Sequence, residues 1–436
     1  MTAPVGFSDS FSIRVLHSDM ATGEIMSSDN SQKTLPFGEF IALLAFLMSL
    51  VAMAIDAVLP AMGQIGHAYQ VENVNDLQLL VGVVFAGLAI GQMIYGPISD
   101  SAGRKPAIYL GLLTFLVGSL ISVFADDYST MLLGRFIQGV GVSGPKVVAV
   151  ALVRDQYQGR DMARVMSFVM AVFIVVPAVA PSLGAGILYI AGWREIFGFF
   201  VLLTAVIFLW FALRQPETLA KEKRIPLSLR NIWKGSKETL SNPIARAYTL
   251  AAGLIFGAFV CYLSTAQQLF KDIFEIDTLF PLFFAVLALF VGLASLVNGR
   301  LVMKFGMEQL ATRAMQGMVV LSACFVVLLF LNGGQAPLWL FMIFTALIFG
   351  CIGLLFGNMN ALAMQPLGHI AGIASSVIGA VSTFVSMIFG GLIGQTYNGS
   401  LYPLFIAFAL LALGALLITA SVRKEAALEQ ADSVEE

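Results

Sequence analysis

Long apolar runs separated by short polar gaps make up most of this chain. A helix needs about 20 apolar residues to cross the hydrocarbon of a bilayer, and about twelve runs here meet that rule. Their limits lie near 38–60, 78–98, 107–125, 129–153, 164–190 and 193–213. After a polar gap they continue near 244–270, 279–302, 311–331, 337–360, 370–395 and 402–422. The runs are too long and too uniformly apolar for barrel strands. A helix also satisfies its own backbone hydrogen bonds, which lipid cannot do. The pattern predicts an all-α membrane protein of twelve transmembrane helices.

Composition supports the same solvent. The chain is 58% hydrophobic and 11% charged, where a soluble domain carries roughly 25% charged residues. Its 35 Phe and 41 Gly agree, since glycine is commoner in membrane helices than in soluble ones. The net charge of -2 implies no nucleic-acid partner. Cys261, Cys324 and Cys351 all lie in apolar runs and read as packing residues, without a disulfide framework. His17, His67 and His369 are far apart, so neither a metal site nor a cofactor is expected.

Basic residues set the orientation. Arg104 and Lys105 follow the second run, Arg154, Arg160 and Arg164 surround the gap after the fourth, and Arg300 and Lys304 follow the eighth. A dense group from Arg214 to Arg246 follows the sixth, and Arg423 and Lys424 follow the last. The opposite loops hold mainly acids, among them Glu72, Asp76, Asp126 and Asp127. Both termini are therefore predicted cytoplasmic in a multi-pass inner-membrane protein. The predicted organisation is a disordered cytoplasmic tail (1–36), a six-helix bundle (37–213), a solvated cytoplasmic linker (214–243), a second six-helix bundle (244–423) and a short tail (424–436).

The loop after the second run reads G-P-I-S-D-S-A-G-R-K from Gly96. It places Asp100, Arg104 and Lys105 in a hinge whose tight turn Gly103 allows. The equivalent place after the eighth run reads G-R-L-V-M-K-F-G-M-E from Gly299. Gly299 and Gly306 align with Gly96 and Gly103, while Met303 and Met307 stand where Asp100 and Arg104 would be. The halves thus echo each other as pseudo-symmetric repeats, an arrangement that puts a substrate site at their interface. The first loop resembles the signature loop of major facilitator superfamily transporters at Gly96, Asp100, Gly103, Arg104 and Lys105. An ordinary hairpin whose cations only fix orientation is the plainer reading of the same residues.

Ionisable residues within spans are costly and are functional candidates. Asp56 lies near the outer end of the first run and Arg135 near the outer end of the fourth, at a similar depth. The two are placed to pair across a cavity, with Asp56 as a proton switch that frees Arg135 for Gln138 or a backbone carbonyl. Lys146 follows Arg135 by eleven residues, close to three turns at about 3.6 residues each, so both cations share a helix face. Plainer roles exist for each: Asp56 as a helix cap, Arg135 and Lys146 as side chains snorkelling to an interface. In the fifth run Pro177 and Pro181 remove backbone donors, and Gly184 and Gly186 permit close helix approach, for rocking or merely for packing. Gln92, Tyr95, Gln267, Asn298 and Asn358 are further cavity candidates; polar side chains in spans also serve simply to join helices.

The segments D-A-V-L-P from Asp56, G-Q-M-I-Y-G-P-I-S-D from Gly91, G-R-F-I-Q-G from Gly134 and V-R-D-Q-Y from Val153 resemble the Bcr/CflA drug/proton antiporters of the same superfamily. The resemblance implies that Asp56 and Arg135 carry proton coupling and that Pro177, Pro181 and Gly184 form an antiporter helix. It departs at Ala180, where a glycine is usual, and in the first run, which has no second acid. With Lys146 facing the cavity, charge balance favours neutral, zwitterionic or anionic substrates.

The expected activity is proton-coupled efflux of small, fairly apolar, drug-like compounds by alternating access. Proton-coupled import of a metabolite on the same fold is the competing expectation. The expected partners are lipid, substrate and protons, and the expected state is a monomer. H-E-x-x-H, G-x-S-x-G and G-x-x-x-x-G-K-[ST] are all missing from the sequence, which argues against an enzyme and against direct ATP drive.

Overall fold

The computed structural model describes residues 35–435. The expected N-terminal tail falls almost wholly outside them. Every regular element among the described residues is helical. The first six long helices are α1 (Phe37–Asp56), α3 (Leu79–Ala102), α4 (Arg104–Val123), α5 (Tyr128–Gln156), α6 (Gly159–Ile190) and α7 (Arg194–Arg214), with a short α2 (Met62–Ala68) after α1. A linker helix, α8 (Leu229–Ser241), precedes α9 (Pro243–Asp272), α10 (Phe280–Phe305), α11 (Met307–Leu331), α12 (Leu338–Met364), α13 (Ala371–Gly394) and α14 (Tyr402–Glu435). Eleven segments among the described residues are long and apolar enough to span a membrane. One of them, 338–394, is 57 residues long and bends at Leu367, whose backbone is not helical. It is therefore two spanning helices, α12 and α13, which matches the count of apolar runs.

Helix ends follow local chemistry. Asp127 caps α5 by accepting from the Thr130 amide at 2.9 Å, and Asn242 caps α9 through the Ala245 amide at 2.9 Å, with Pro243 at the first position. Gly103 and Gly306 break the chain at matching points, with φ of 115° and 77°. Their surroundings differ. A β-carbon on Gly96 would stand 2.2 Å from Ser376 Oγ of α13, whereas one on Gly299 would meet open space.

Helices α1 and α3–α7 pack mainly on one another, as do α9–α14. The two sets meet along α3 with α13 and α6 with α10. Glycines set the closest approaches: a β-carbon on Gly139 would stand 2.1 Å from the Val84 carbonyl oxygen of α3. On the other side of α5, one on Gly141 would stand 2.2 Å from the Phe115 amide of α4.

The linker departs from a solvated strand of chain. Glu217 accepts from the amides of Arg104 and Lys105, each at 3.0 Å. The Ile225 amide donates to the Asp100 carbonyl at 3.0 Å. The reason is local: the first amides of α4 have no partner within their own helix, and a carboxylate beside them satisfies both.

Candidate functional site

The glycine packing of α5 against α3 and α4 fixes where its polar side chains go. Arg135 has no solvent exposure. It donates to the Ala54 carbonyl of α1 at 2.7 Å, the Leu80 carbonyl of α3 at 3.0 Å and Gln138 Oε1 at 2.8 Å. Gln138 passes the chain on to Ser119 Oγ of α4 at 2.9 Å. The Phe197 ring lies 5.8 Å from the guanidinium, within cation–π range. One guanidinium nitrogen, Nη2, has no partner.

Asp56 ends α1 and is 5% exposed. Among the described residues it forms no ion pair, with Arg135 or with any other cation. The expected Asp56–Arg135 pair is thus not formed; Arg135 instead holds the backbone two residues before the acid. The reason is reach: the Ala54 and Leu80 carbonyls and Gln138 already surround the guanidinium, and such charged hydrogen bonds are strong in a dry setting. This is the Gln138-and-carbonyl arrangement that the sequence assigns to an Arg135 released from Asp56.

Helix α6 presses on the same point. A β-carbon on Gly184 would stand 1.9 Å from the Ala57 carbonyl oxygen, directly after Asp56. Pro181 is buried and Pro177 half-buried beside it on α6. Gly186, expected to allow a second close approach, faces open space. Across the interface, Tyr262 of α9 lies within electrostatic reach of Asp56. Its hydroxyl is buried without a hydrogen-bond partner, and its ring packs edge-on against Phe349 at 4.8 Å.

Lys146 lies further along α5, half-buried and outside every ion pair among the described residues. Gln92 bridges the two helix sets by donating to Thr383 Oγ1 of α13 at 3.0 Å. Tyr95 turns away from that interface and donates to Thr114 Oγ1 of α4 at 3.3 Å. Asn298 and Asn358 bond to each other, the latter donating at 2.8 Å, and so join α10 to α12. Gln267 is buried; its neighbour Gln268 makes the cross-set bonds.

Those bonds close the end away from Gly103. Gln78 donates to Gln268 Oε1 at 2.9 Å, and Gln268 donates to the Val74 carbonyl at 3.0 Å. Asn75 donates to the carbonyls of Gln395 and Tyr397 at 3.1 and 2.9 Å, and Gln395 returns a bond to the Asn75 carbonyl at 2.8 Å. None of these groups carries a charge, so charge patterning along the sequence does not reveal how they pair.

At the Gly103 end, Arg104 is almost fully buried. It grips Asp155 of α5 through Nε and Nη2 at 2.7 and 3.2 Å, Asp100 at 2.6 Å and Ser99 at 2.9 Å. Lys105 instead donates to the Ala212 carbonyl of α7 at 3.2 Å. Asp155 and Glu217 were not singled out from the sequence; their signal was an acid flanking each of two basic gaps.

The sequence profile of the Major Facilitator Superfamily matches residues 41–391. The uncharacterized MFS-type transporter YdgK of Bacillus subtilis is 30% identical over 391 residues, 87% of this chain and 96% of the relative. A bicyclomycin resistance protein homolog of Haemophilus influenzae is 30% identical over 375 residues, 84% of this chain and 91% of the relative. The xylose transporter XylE from E. coli, in a partially occluded inward-open conformation, superposes with a TM-score of 0.70 at 13% identity, over 88% of this chain and 97% of its own. Profile, relatives and helix arrangement agree with the glycine-hinged loops and the buried charges: the chain belongs to the major facilitator superfamily.

Proposed function

We propose that this protein exports small, fairly apolar, drug-like compounds across the inner membrane in exchange for protons. The observation that carries the reading is Asp56: a buried carboxyl outside every ion pair among the described residues, set where α6 presses on the end of α1. An acid that can be occupied by a proton or left charged changes the local field, and Arg135, which holds the Ala54 carbonyl two residues before the acid and Gln138, is placed to respond. The named relative supports drug resistance as the role.

In this reading the Gly103 end faces the cytoplasm with both termini, and the Asn75–Gln395 end is the outer gate, closed here. The six-helix halves, 37–213 and 244–423, rock about the α3–α13 and α6–α10 contacts, and the protein acts as a monomer. Lys146, Gln92, Gln267 and Asn358 lie along the substrate's route. Lys146, outside every ion pair among the described residues, disfavours lipophilic cations as substrates.

The test compares wild type with Asp56→Asn in everted membrane vesicles and in an efflux-deficient host given a drug panel. Asp56→Asn is expected to abolish efflux driven by a pH gradient while the protein remains in the membrane. Coupled efflux at the wild-type rate in that variant would remove Asp56 from the mechanism.

A further inference from the structure

The helix α8 presents an exposed surface outside the site described above. Its buried side is small: Gly235 packs against Ile373 of α13, and Thr239 is buried beside it. On a helix of about 3.6 residues per turn, Leu229, Trp233 and Leu240 fall within roughly 40° of one another on a different side. All three are exposed, Leu229 at 80% and Trp233 at 72%. Ile225 and Leu227, just before the helix, are exposed as well. Roughly 90° round from that apolar stripe lie Arg230, Lys234 and Lys237. None of the three is in an ion pair among the described residues.

Position sets what this surface meets. Asn242 alone separates α8 from α9, closing one helix and capping the next. Helix α9 is a membrane span of 30 residues, about 45 Å at 1.5 Å per residue, enough to cover the hydrocarbon and both headgroup layers. Its first residue therefore lies at headgroup level, and α8 with it. Between 221 and 246 there are seven basic residues and two acidic ones.

We propose that α8 is an interfacial anchor that binds the anionic phospholipid headgroups of the leaflet at the Gly103 end. Leu229, Trp233 and Leu240 dip into the acyl boundary, where tryptophan is favoured. Arg230, Lys234 and Lys237 meet the phosphates beside them. The anchor touches both helix sets: Ile225 bonds to Asp100 at the end of α3, and Gly235 rests on α13. The charge stripe selects an acidic leaflet over a zwitterionic one, and the apolar stripe selects a membrane over a soluble anion.

The experiment reconstitutes the full chain in nanodiscs containing brominated phosphatidylglycerol or brominated phosphatidylcholine at equal mole fraction. The readout is the part of the tryptophan emission that Trp233→Phe removes. Quenching of that part is expected to be at least about twofold stronger with the anionic lipid, and the excess should vanish in R230E/K234E/K237E. Equal quenching by the two lipids in the wild type overturns the proposal, whether or not the triple variant folds. So does quenching by aqueous iodide but by neither lipid, which would mean a solvated helix. Protection of Trp233 in lipid-free detergent would assign the face to a second copy of the chain and overturn it too.

Discussion

Gly184 and Ala57 meet backbone to backbone: a β-carbon on the glycine would stand 1.9 Å from the Ala57 carbonyl oxygen. Any side chain there must push α6 away from the end of α1, and so away from Asp56. Gly184→Ala is expected to lower transport by at least about tenfold, equivalent to ~1.4 kcal/mol on the rate-limiting barrier. Gly186→Ala, which meets open space, should transport normally. Efflux assays on both, normalised to membrane-embedded protein, check this contrast.

Gln138 is the only side chain that accepts from Arg135 among the described residues, and it relays to Ser119. Gln138→Leu removes that acceptor and leaves a buried guanidinium group short of partners, a cost of about 1–3 kcal/mol. Thermal unfolding in detergent should shift down by several degrees, and transport should fall with it. Gln138→Glu is expected to retain the acceptor and to recover the thermal stability better than Leu does.

Arg104 holds two acids and a serine with one planar group. Lysine carries the charge but cannot reproduce the fork. Arg104→Lys should therefore lower transport by about tenfold, the equivalent of ~1.4 kcal/mol, with the protein still in the membrane. Asp155→Asn is expected to give a smaller loss, because Asp100 remains. Matching transport by Arg104→Lys and wild type would show that charge alone suffices at this corner.

Gln78 and Gln268 join the two helix sets directly at 2.9 Å. In a variant lacking Cys261, Cys324 and Cys351, cysteines at both positions should be bridged by a short, reducible bifunctional thiol reagent. Bridging is expected to stop transport, and reduction to restore it. Unchanged transport in the bridged protein would mean that this end does not open during the cycle.

The spans were legible because hydropathy alone sets their length, and Leu338–Gly394 needed only the bend at Leu367 to resolve into two helices. Asp56, Arg135 and Arg104 were legible because charge in an apolar run stands out. Their partners were not. Arg135 is held chiefly by the carbonyls of Ala54 and Leu80, and a backbone acceptor leaves no mark on residue type. The Asn75–Gln395 bonds join positions 320 apart in the chain, where ordinary amides carry no pairing signal. Glu217 was read as linker because its role depends on the folded position of the α4 N-terminus. The 3.6-residue period of α8 was in the sequence, but the polar composition around it read as solvated chain.

The closure at the end away from Gly103 is built from carboxamides and carbonyls, with neither partner in any of its five bonds able to gain or lose a proton. Added salt weakens such bonds little, because they have no net charge to screen. If this end is the outer gate, as proposed, the resting bias of the carrier is insulated from the ionic strength of the medium it faces. In the proposed exchange the proton acts instead at Asp56, a buried carboxyl away from these five bonds.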